Sequence, residues 1–357
     1  MGIFTNILKD SESVFADTVA LDYDYMPKLI PYREDEQFKI ASCIKPLFAE
    51  RNGKNVFVYG KPGIGKTLAI RHILNELEEE TDDIIPIYVN CWQKNTTYKV
   101  LLEVCDILGY KFTQNKKTED LFKIVRDIVN KKSAVFVFDE VDKSEEMDVL
   151  YTLLEQIYRK TIIMITNFKS WIEDLDIRVK SRMTPELIEF KPYNSNETKG
   201  ILENRKKYAF QPNSWKDDAF EKVVNRTFEL EDIRSGLYIM KEAGNSAEDR
   251  ASKIIELQDV GNAIKKMDEF TIKKSTDLDD ESLKILEIAR SNPSQKIGEL
   301  FKIYENLGGQ MTYKTFQRKI EKLSKSKFIS TEKIVGGKEG KTTIIHPQNV
   351  EKKLSDF

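Results

Sequence analysis

Cysteine and histidine are nearly absent from this sequence: Cys43, Cys91 and Cys105 stand far apart, and only His72 and His346 could join them as ligands. An odd number of distant thiols builds no disulfide framework, and the spacing matches no zinc motif. Long apolar runs are missing too. The runs at 135–138 and 162–165 fall far short of the roughly 18 residues that a membrane-spanning helix needs, so no membrane partner is expected. An excess of one charge sign is also lacking, because 57 Lys and Arg against 59 Asp and Glu leave a net of −2. Overall charge therefore does not mark a nucleic-acid binder, and any basic surface must be local. The opening Met1-Gly2-Ile3-Phe4-Thr5-Asn6 has no basic leader, and Asn6 stands where a myristoylation signal wants Ser or Thr. A reducing cytoplasm is the expected compartment.

What is present is globular. At 357 residues, 40% hydrophobic and 10% aromatic, the chain is long enough for two or three domains. From about 55 to 166, β-rich runs (55–59, 84–90, 134–138, 161–166) alternate with helical patterns (66–80, 98–108, 119–129, 147–158), the signature of a parallel sheet covered by helices. After Pro192 the strand signal stops, and helical segments follow to about 270. The polar stretch 271–280 reads as a linker. From Leu283 three short helices end near Lys325. Two β-prone runs, 329–335 and 342–345, follow, joined as a hairpin by Gly336-Gly337-Lys338-Glu339-Gly340. The expected fold class is α/β: a parallel-sheet base over 1–191, an all-helical domain over 192–274 and a winged helix-turn-helix over 275–357.

Gly60-Lys61-Pro62-Gly63-Ile64-Gly65-Lys66-Thr67 fits the phosphate-binding pattern G-x-x-x-x-G-K-[ST] without a mismatch, between a predicted strand and a predicted helix. Its glycines let backbone N–H groups curl toward phosphate oxygens, and the helix beyond, through Leu68, aims its positive dipole end at the same place. Lys66 is expected to bridge the β- and γ-phosphates of ATP or ADP, and the Thr67 hydroxyl to ligate Mg²⁺. The run 134–138 ends in Asp139 and Glu140 at the strand edge where ligands bind in such sheets. Asp139 is the candidate for holding Mg²⁺ through water, and Glu140 for polarising the attacking water. Asn167 closes the next strand, within reach of the γ-phosphate or that water.

These residues resemble the AAA+ family, and more narrowly the archaeal replication initiators related to the origin recognition complex and the cell-division-cycle-six protein. The resemblance spans nearly the whole chain. Ile7-Leu8-Lys9-Asp10 through Met26-Pro27, then Ile30-Pro31-Tyr32-Arg33-Glu34, look like the family's lead into its adenine pocket, which implies nucleotide contacts for Pro31, Tyr32 and Arg33. Tyr88-Val89-Asn90-Cys91 with Thr97-Tyr98-Lys99-Val100 is similar to the stretch that opens the initiator-specific insertion. The run 175–182 is similar to the arginine-finger segment, which implies that Arg178 or Arg182 acts on a neighbour's ATP; the two stay unresolved. Phe190-Lys191-Pro192-Tyr193-Asn194 with Arg205 looks like the start of the lid, and Glu231-Asp232-Ile233-Arg234 like the second sensor. The resemblance implies that Tyr193, Arg205 and Arg234 lie beside the nucleotide. Two departures stand out: 110–118 is short and lysine-rich, and Glu231 replaces a usual Gly.

The C-terminal segment carries the local charge that the whole chain hides. Between Gln310 and Ile345 nine Lys and Arg stand against three Glu, a net of +6. In the helix expected at 313–325, Phe316, Ile320 and Leu323 form the buried stripe, leaving Lys314, Gln317, Arg318 and Lys322 to face the major groove of duplex DNA. Lys338 and Lys341 on the hairpin are expected to meet phosphates. The leading functional reading is an ATPase that hydrolyses slowly, as a switch, and binds origin duplex. The family implies recruitment or loading of the replicative helicase, association with itself or a paralogue on DNA, and a nucleoid-associated place in the cytoplasm. A helicase- or clamp-loading ATPase is the nearest rival. A signalling ATPase whose winged helix acts as an internal clamp is the alternative from another class.

Overall fold

The computed structural model describes residues 13–276, 279–309, 311–325, 328–334 and 342–347. The chain divides into two compact units, Met1–Ile264 and Lys265–Phe357.

The first unit is built on a five-stranded, fully parallel sheet of order β2-β3-β4-β1-β5, with β1 Val56–Tyr59, β2 Ile84–Asn90, β3 Ser133–Asp139, β4 Lys160–Thr166 and β5 Glu186–Glu189. Parallel neighbours need long crossovers, which helices supply on both faces. The helices are α1 Glu34–Ile44, which precedes β1, and the crossover helices α2 Lys66–Glu80, α3 Thr97–Ile107, α4 Thr118–Val129, α5 Asp148–Gln156 and α6 Ile177–Met183. Every residue of β3 and β4 is buried, and between their polar ends both carry apolar runs, 134–138 and 162–165. Successive side chains still part: Ala134, Phe136 and Phe138 join the core with α3, α4 and α5, while Val135 and Val137 join that with α1 and α2. Each large side chain there contributes roughly 1.5–3 kcal/mol of burial.

Four strands are legible in the sequence, and β5 is not. Only Ile188 of its four residues is buried, and as an edge strand it pairs on one side alone, so it carries no apolar run to read.

Helices α7 Ser195–Ala209, α8 Asp217–Leu230 and α9 Ile233–Asp249 form the helical region, α7 opening on a reciprocal cap between Asn194 and Glu197. The N-terminal segment belongs with these helices rather than with the sheet: Ala16 N–H donates to Ala209 O at 2.8 Å, the Phe15 ring packs tilted against Phe210, and Lys241 pairs with Asp22 at 2.9 Å. The expected linker at 271–280 is corrected, since α10 runs unbroken over Leu257–Thr276. A polar run without an apolar pattern is easily misread as coil. Residues 277 and 278 lie outside the described residues, as does the Ile7-Leu8-Lys9-Asp10 opening.

The second unit holds α11 Asp280–Ser291, β6 Gln295–Lys296, α12 Ile297–Asn306, α13 Tyr313–Lys325, β7 Ile329–Ile334 and β8 Thr342–Pro347. Its strands form an antiparallel sheet of order β6-β8-β7. Ile285, Leu300, Tyr304, Phe316, Ile320, Leu323 and Ile345 make one core. β6, at two residues, is too short to announce itself in sequence. The expected turn at 336–340 with its Lys338, and Lys341 after it, lie outside the described residues. No helix among the described residues is long and apolar enough to cross a membrane.

Candidate functional site

A cleft of about 680 Å³ opens at the C-terminal edge of the sheet, where β1 and β4 lie side by side, and the helical region forms its opposite wall. Its floor is the loop between β1 and α2. Gly60 and Gly63 take φ of +152° and +76°, and a Cβ on Gly60 would stand 2.3 Å from Phe190 O. A Cβ on Gly63 would stand 1.9 Å from an Asp232 oxygen. Only glycine allows so close an approach of loop, strand and helical region. Gly65 caps α2, leaving the first N–H groups of that helix facing the cleft.

Lys66 is buried, and its ammonium donates to Gly60 O at 2.8 Å, Lys61 O at 2.7 Å and Asn167 Oδ1 at 2.8 Å. Burial lowers its pKa to about 8, against the opposing pull of Asp139. The Thr67 hydroxyl donates to Asp139 Oδ2 at 2.7 Å, and the Tyr88 hydroxyl donates to the same oxygen at 2.7 Å. Asp139 Oδ1 accepts the Glu140 N–H at 2.8 Å, and Glu140 itself sits at φ 54°. Burial, with Asp139 and Asp142 nearby, raises the Glu140 carboxyl pKa.

From the helical side, Arg234 is forked on Asp232 at 3.0 and 2.7 Å and faces the cleft. Asp232 also caps α9, and Ile233 N–H donates to Gly63 O at 3.2 Å, so the start of α9 is joined directly to the phosphate-binding loop. Lys61 pairs with Glu231, which stands at φ 52° where a Gly would be unstrained. Arg205 is buried, donates to Ala20 O at 3.2 Å and Tyr25 O at 3.3 Å, and lies 4.7 Å over the Tyr25 ring. It ties α7 to the N-terminal segment.

Of the residues expected at a nucleotide, Pro31, Pro62, Gly63, Gly65, Lys66, Thr67, Leu68, Asp139, Glu140, Asn167, Tyr193, Arg205 and Arg234 line the cleft. Gly60, Lys61, Ile64, Tyr32 and Arg33 are not among the lining residues. Ile64 is core beneath the loop, and Tyr32 packs on Gly200. Arg33 is 4% exposed and donates to Ile64 O at 3.2 Å and Lys191 O at 2.6 Å while lying 3.9 Å over the Tyr193 ring. It braces the site from behind. The sequence reading missed Tyr23, Tyr25, Arg71, Tyr88, Asn204 and Tyr208, all of which line the cleft. The spacing of α7 could have found Asn204 and Tyr208, next to Arg205 on one face.

An AAA domain profile matches residues 49–167, and the profile of the Cdc6 AAA+ ATPase-type lid domain matches 199–265. The chain is 28% identical over 355 residues to the ORC1-type DNA replication protein 2 of Methanosarcina acetivorans, covering 95% of each. It is 30% identical over 263 residues to the ORC1-type DNA replication protein 1 of Sulfurisphaera tokodaii, covering 70% of this chain and 66% of that one. The chain belongs to the Orc1/Cdc6 family of AAA+ ATPases. The fold agrees: the Aeropyrum pernix Orc1 protein, solved in complex with DNA, superposes with a TM-score of 0.73 at 22% identity over 94% of each chain.

Two further sets of expected residues stand on α6 and α13. Arg178 and Arg182 sit exposed on α6, Arg178 held by Asp176 at 3.0 Å and Arg182 near Glu155 at 3.3 Å, with the Tyr151 ring between them at 5.4 and 4.8 Å. Neither lines this chain's own cleft. In α13, Phe316, Ile320 and Leu323 are buried and Lys314, Gln317, Arg318 and Lys322 exposed, as the apolar stripe requires. Lys319 is turned inward onto Asp279 and Ser282.

Proposed function

We propose that the chain is an ATP-controlled initiator of DNA replication that hydrolyses ATP slowly, as a switch. The observation that carries this reading is the convergence of Lys66, Thr67, Asp139, Glu140 and Asn167 on one cleft with Arg234 facing them from the helical side. Its domains on this reading are the base (1–191), the lid (192–274) and a winged helix-turn-helix (275–357), with residues 13–22 packed on the lid.

The donors present suit Mg²⁺. The Thr67 hydroxyl and the Asp139 carboxylate are hard oxygens 2.7 Å apart, and no cluster of three His, Cys, Asp or Glu among the described residues builds an all-protein cage. Thr67 would hold the ion directly and Asp139 through water; when bound, it neutralises phosphate charge. Lys66 carries its ammonium to the β- and γ-phosphates by exchanging its carbonyl partners for phosphate oxygens. Glu140, its carboxyl more basic than usual, accepts hydrogen bonds from the attacking water, and Asn167 fixes the γ-phosphate beside it. Arg234 answers the charge from the lid, so lid closure depends on which nucleotide is bound. Arg178 or Arg182 completes a neighbouring copy's or paralogue's site.

On this reading α13 enters the major groove, with Gln317 and Arg318 at base edges, Lys314 and Lys322 beside them, and Lys338 and Lys341 at phosphates. The initiator recruits or loads the replicative helicase and resides at the nucleoid. The test is a site selection on random duplexes with the full chain and ATP, followed by affinities on selected and scrambled duplex across a salt series. Gln317→Ala or Arg318→Ala should cost about 1–3 kcal/mol on the selected site alone. Lys338→Ala and Lys341→Ala should weaken both duplexes and flatten the log–log salt slope by about 0.9 per contact. No duplex binding with any nucleotide would discard the initiator reading.

A further inference from the structure

Asp142 is a buried acid that the proposed chemistry does not use. It stands on the single 3₁₀ turn Val141–Lys143 that follows Glu140, and its side chain is 7% exposed. It does not line the cleft. Its Oδ1 accepts the Thr166 hydroxyl proton at 2.9 Å, while its Oδ2 is buried without a hydrogen bond, 3.1 Å from the Lys143 ammonium. A buried carboxylate is costly unless it is paired and hydrogen-bonded, and Asp142 has Lys143 for the first and Thr166 for the second.

The Thr166 oxygen is what makes the arrangement informative. It donates to Asp142 and also accepts the Phe168 N–H at 3.1 Å, so it grips the backbone on both sides of Asn167. Asn167 in turn accepts from Lys66 at 2.8 Å. On the other side, Glu140 is held in the left-handed region, with Lys143 N–H donating to Glu140 O at 2.9 Å to close the turn that carries Asp142. One carboxylate therefore joins two loops from neighbouring strands, one bearing Glu140 and the other Asn167. Nothing else among the described side-chain hydrogen bonds links the 140–143 turn to the 166–168 segment.

We propose that Asp142 is a positioning residue: by holding the Thr166 hydroxyl it sets the spacing between Glu140 and Asn167, and with it the water and γ-phosphate those residues address. This rests on the ATPase reading of the site. A displacement of about 1 Å at such a pair costs up to roughly 100-fold in rate while leaving ground-state binding nearly alone.

The experiment uses the full chain and measures three quantities: steady-state hydrolysis, affinity for a non-hydrolysable ATP analogue, and the thermal midpoint. Asp142→Ala should lower kcat about tenfold or more with analogue affinity within about threefold of the parent. Asp142→Asn keeps an acceptor for the Thr166 hydroxyl and should recover kcat to within about threefold, a rescue that mere loss of stability would not track. Thr166→Val, close in shape, removes the same link together with the Phe168 N–H bond, so it should be at least as slow as Asp142→Ala, and the double variant should be no slower than Thr166→Val alone. A folded Asp142→Ala at parental rate overturns the inference, as does an Asp142→Asn as slow as the alanine. If Asp142→Ala does not fold, Thr166→Val decides, and parental turnover there is equally fatal. Glu140→Gln runs alongside: a parent without turnover ends the ATPase reading, and a Glu140→Gln that hydrolyses like the parent ends the role given to Glu140, either of which takes this inference with it, whereas a slow Glu140→Gln beside a normal Asp142→Ala sinks this inference alone.

Discussion

Gly63→Ala tests how tightly the phosphate-binding loop is joined to the lid. Gly63 sits at φ 76°, which costs an alanine about 1 kcal/mol. The added methyl would also lie 1.9 Å from an Asp232 oxygen, a contact that the chain must relieve by moving Asp232. That carboxylate is not free to move: it caps α9 through the Arg234 N–H at 3.0 Å and forks the Arg234 guanidinium. Losing the cap costs about 1 kcal/mol, and disturbing a partly exposed fork adds well under another. The expected total is about 2–3 kcal/mol. Gly65→Ala is the internal control, because it pays the same left-handed penalty at φ 89° but meets only the Tyr193 hydroxyl, at 3.0 Å. Urea unfolding of both variants isolates the Asp232 contact as a difference of roughly 1–2 kcal/mol. In the same samples Gly63→Ala should weaken the benefit of Arg234, so that adding Arg234→Ala lowers nucleotide affinity less than it does in the parent. Equal midpoints for the two glycine variants, with full additivity toward Arg234→Ala, would refute the lid–loop coupling.

Lys66→Ala should weaken ATP binding by about 100-fold or more, since charge-assisted bonds worth roughly 1.5–3 kcal/mol each are lost, whereas Glu140→Gln should keep affinity and slow turnover by about 10²–10⁴. Calorimetric binding and phosphate release separate the two, and equal loss of affinity would overturn the role given to Glu140. Arg178→Ala and Arg182→Ala should leave ATP affinity of the isolated chain unchanged, because neither lines its own cleft, while at least one lowers hydrolysis on DNA or in an assembly. Parental hydrolysis by both under assembling conditions would rule out a finger on α6. Asp279, which caps α11, has its carboxyl pKa drawn down to about 2 chiefly by the Lys319 ammonium. Its contribution is present above about pH 4 and is lost as pH falls toward 2. Asp279→Asn keeps the cap without the charge, so its acid unfolding should be shallower than the parent's over that window; identical curves would deny the pair a role.

Local chemistry was legible in the sequence. A loop of fixed length between a strand and a helix places Gly60 to Thr67 almost without reference to the rest of the chain. An apolar run ending in Asp139 and Glu140, or in Asn167, declares a buried parallel strand and the side chains at its C-terminal edge. The stripe of Phe316, Ile320 and Leu323 likewise settled which side of α13 faces out, because a helix has only one way to bury three such residues. What tertiary structure alone decided is pairing across distance. β5 became a strand through its partner β1, not through its own residues, and the helical stretch beyond 270 needed the backbone of α10 to be seen. Arg33 looked like a nucleotide contact beside Pro31 and Tyr32, yet it turned inward because Ile64 O, Lys191 O and the Tyr193 ring converge on it from distant segments. The hydroxyls of Tyr88 and Thr67 share one oxygen of Asp139, and Asp142 meets Thr166 across neighbouring strands. A sequence records each of these groups but not the direction of its hydrogen bond, which is set only when the sheet has brought the strands into register and burial has removed water as the competing partner.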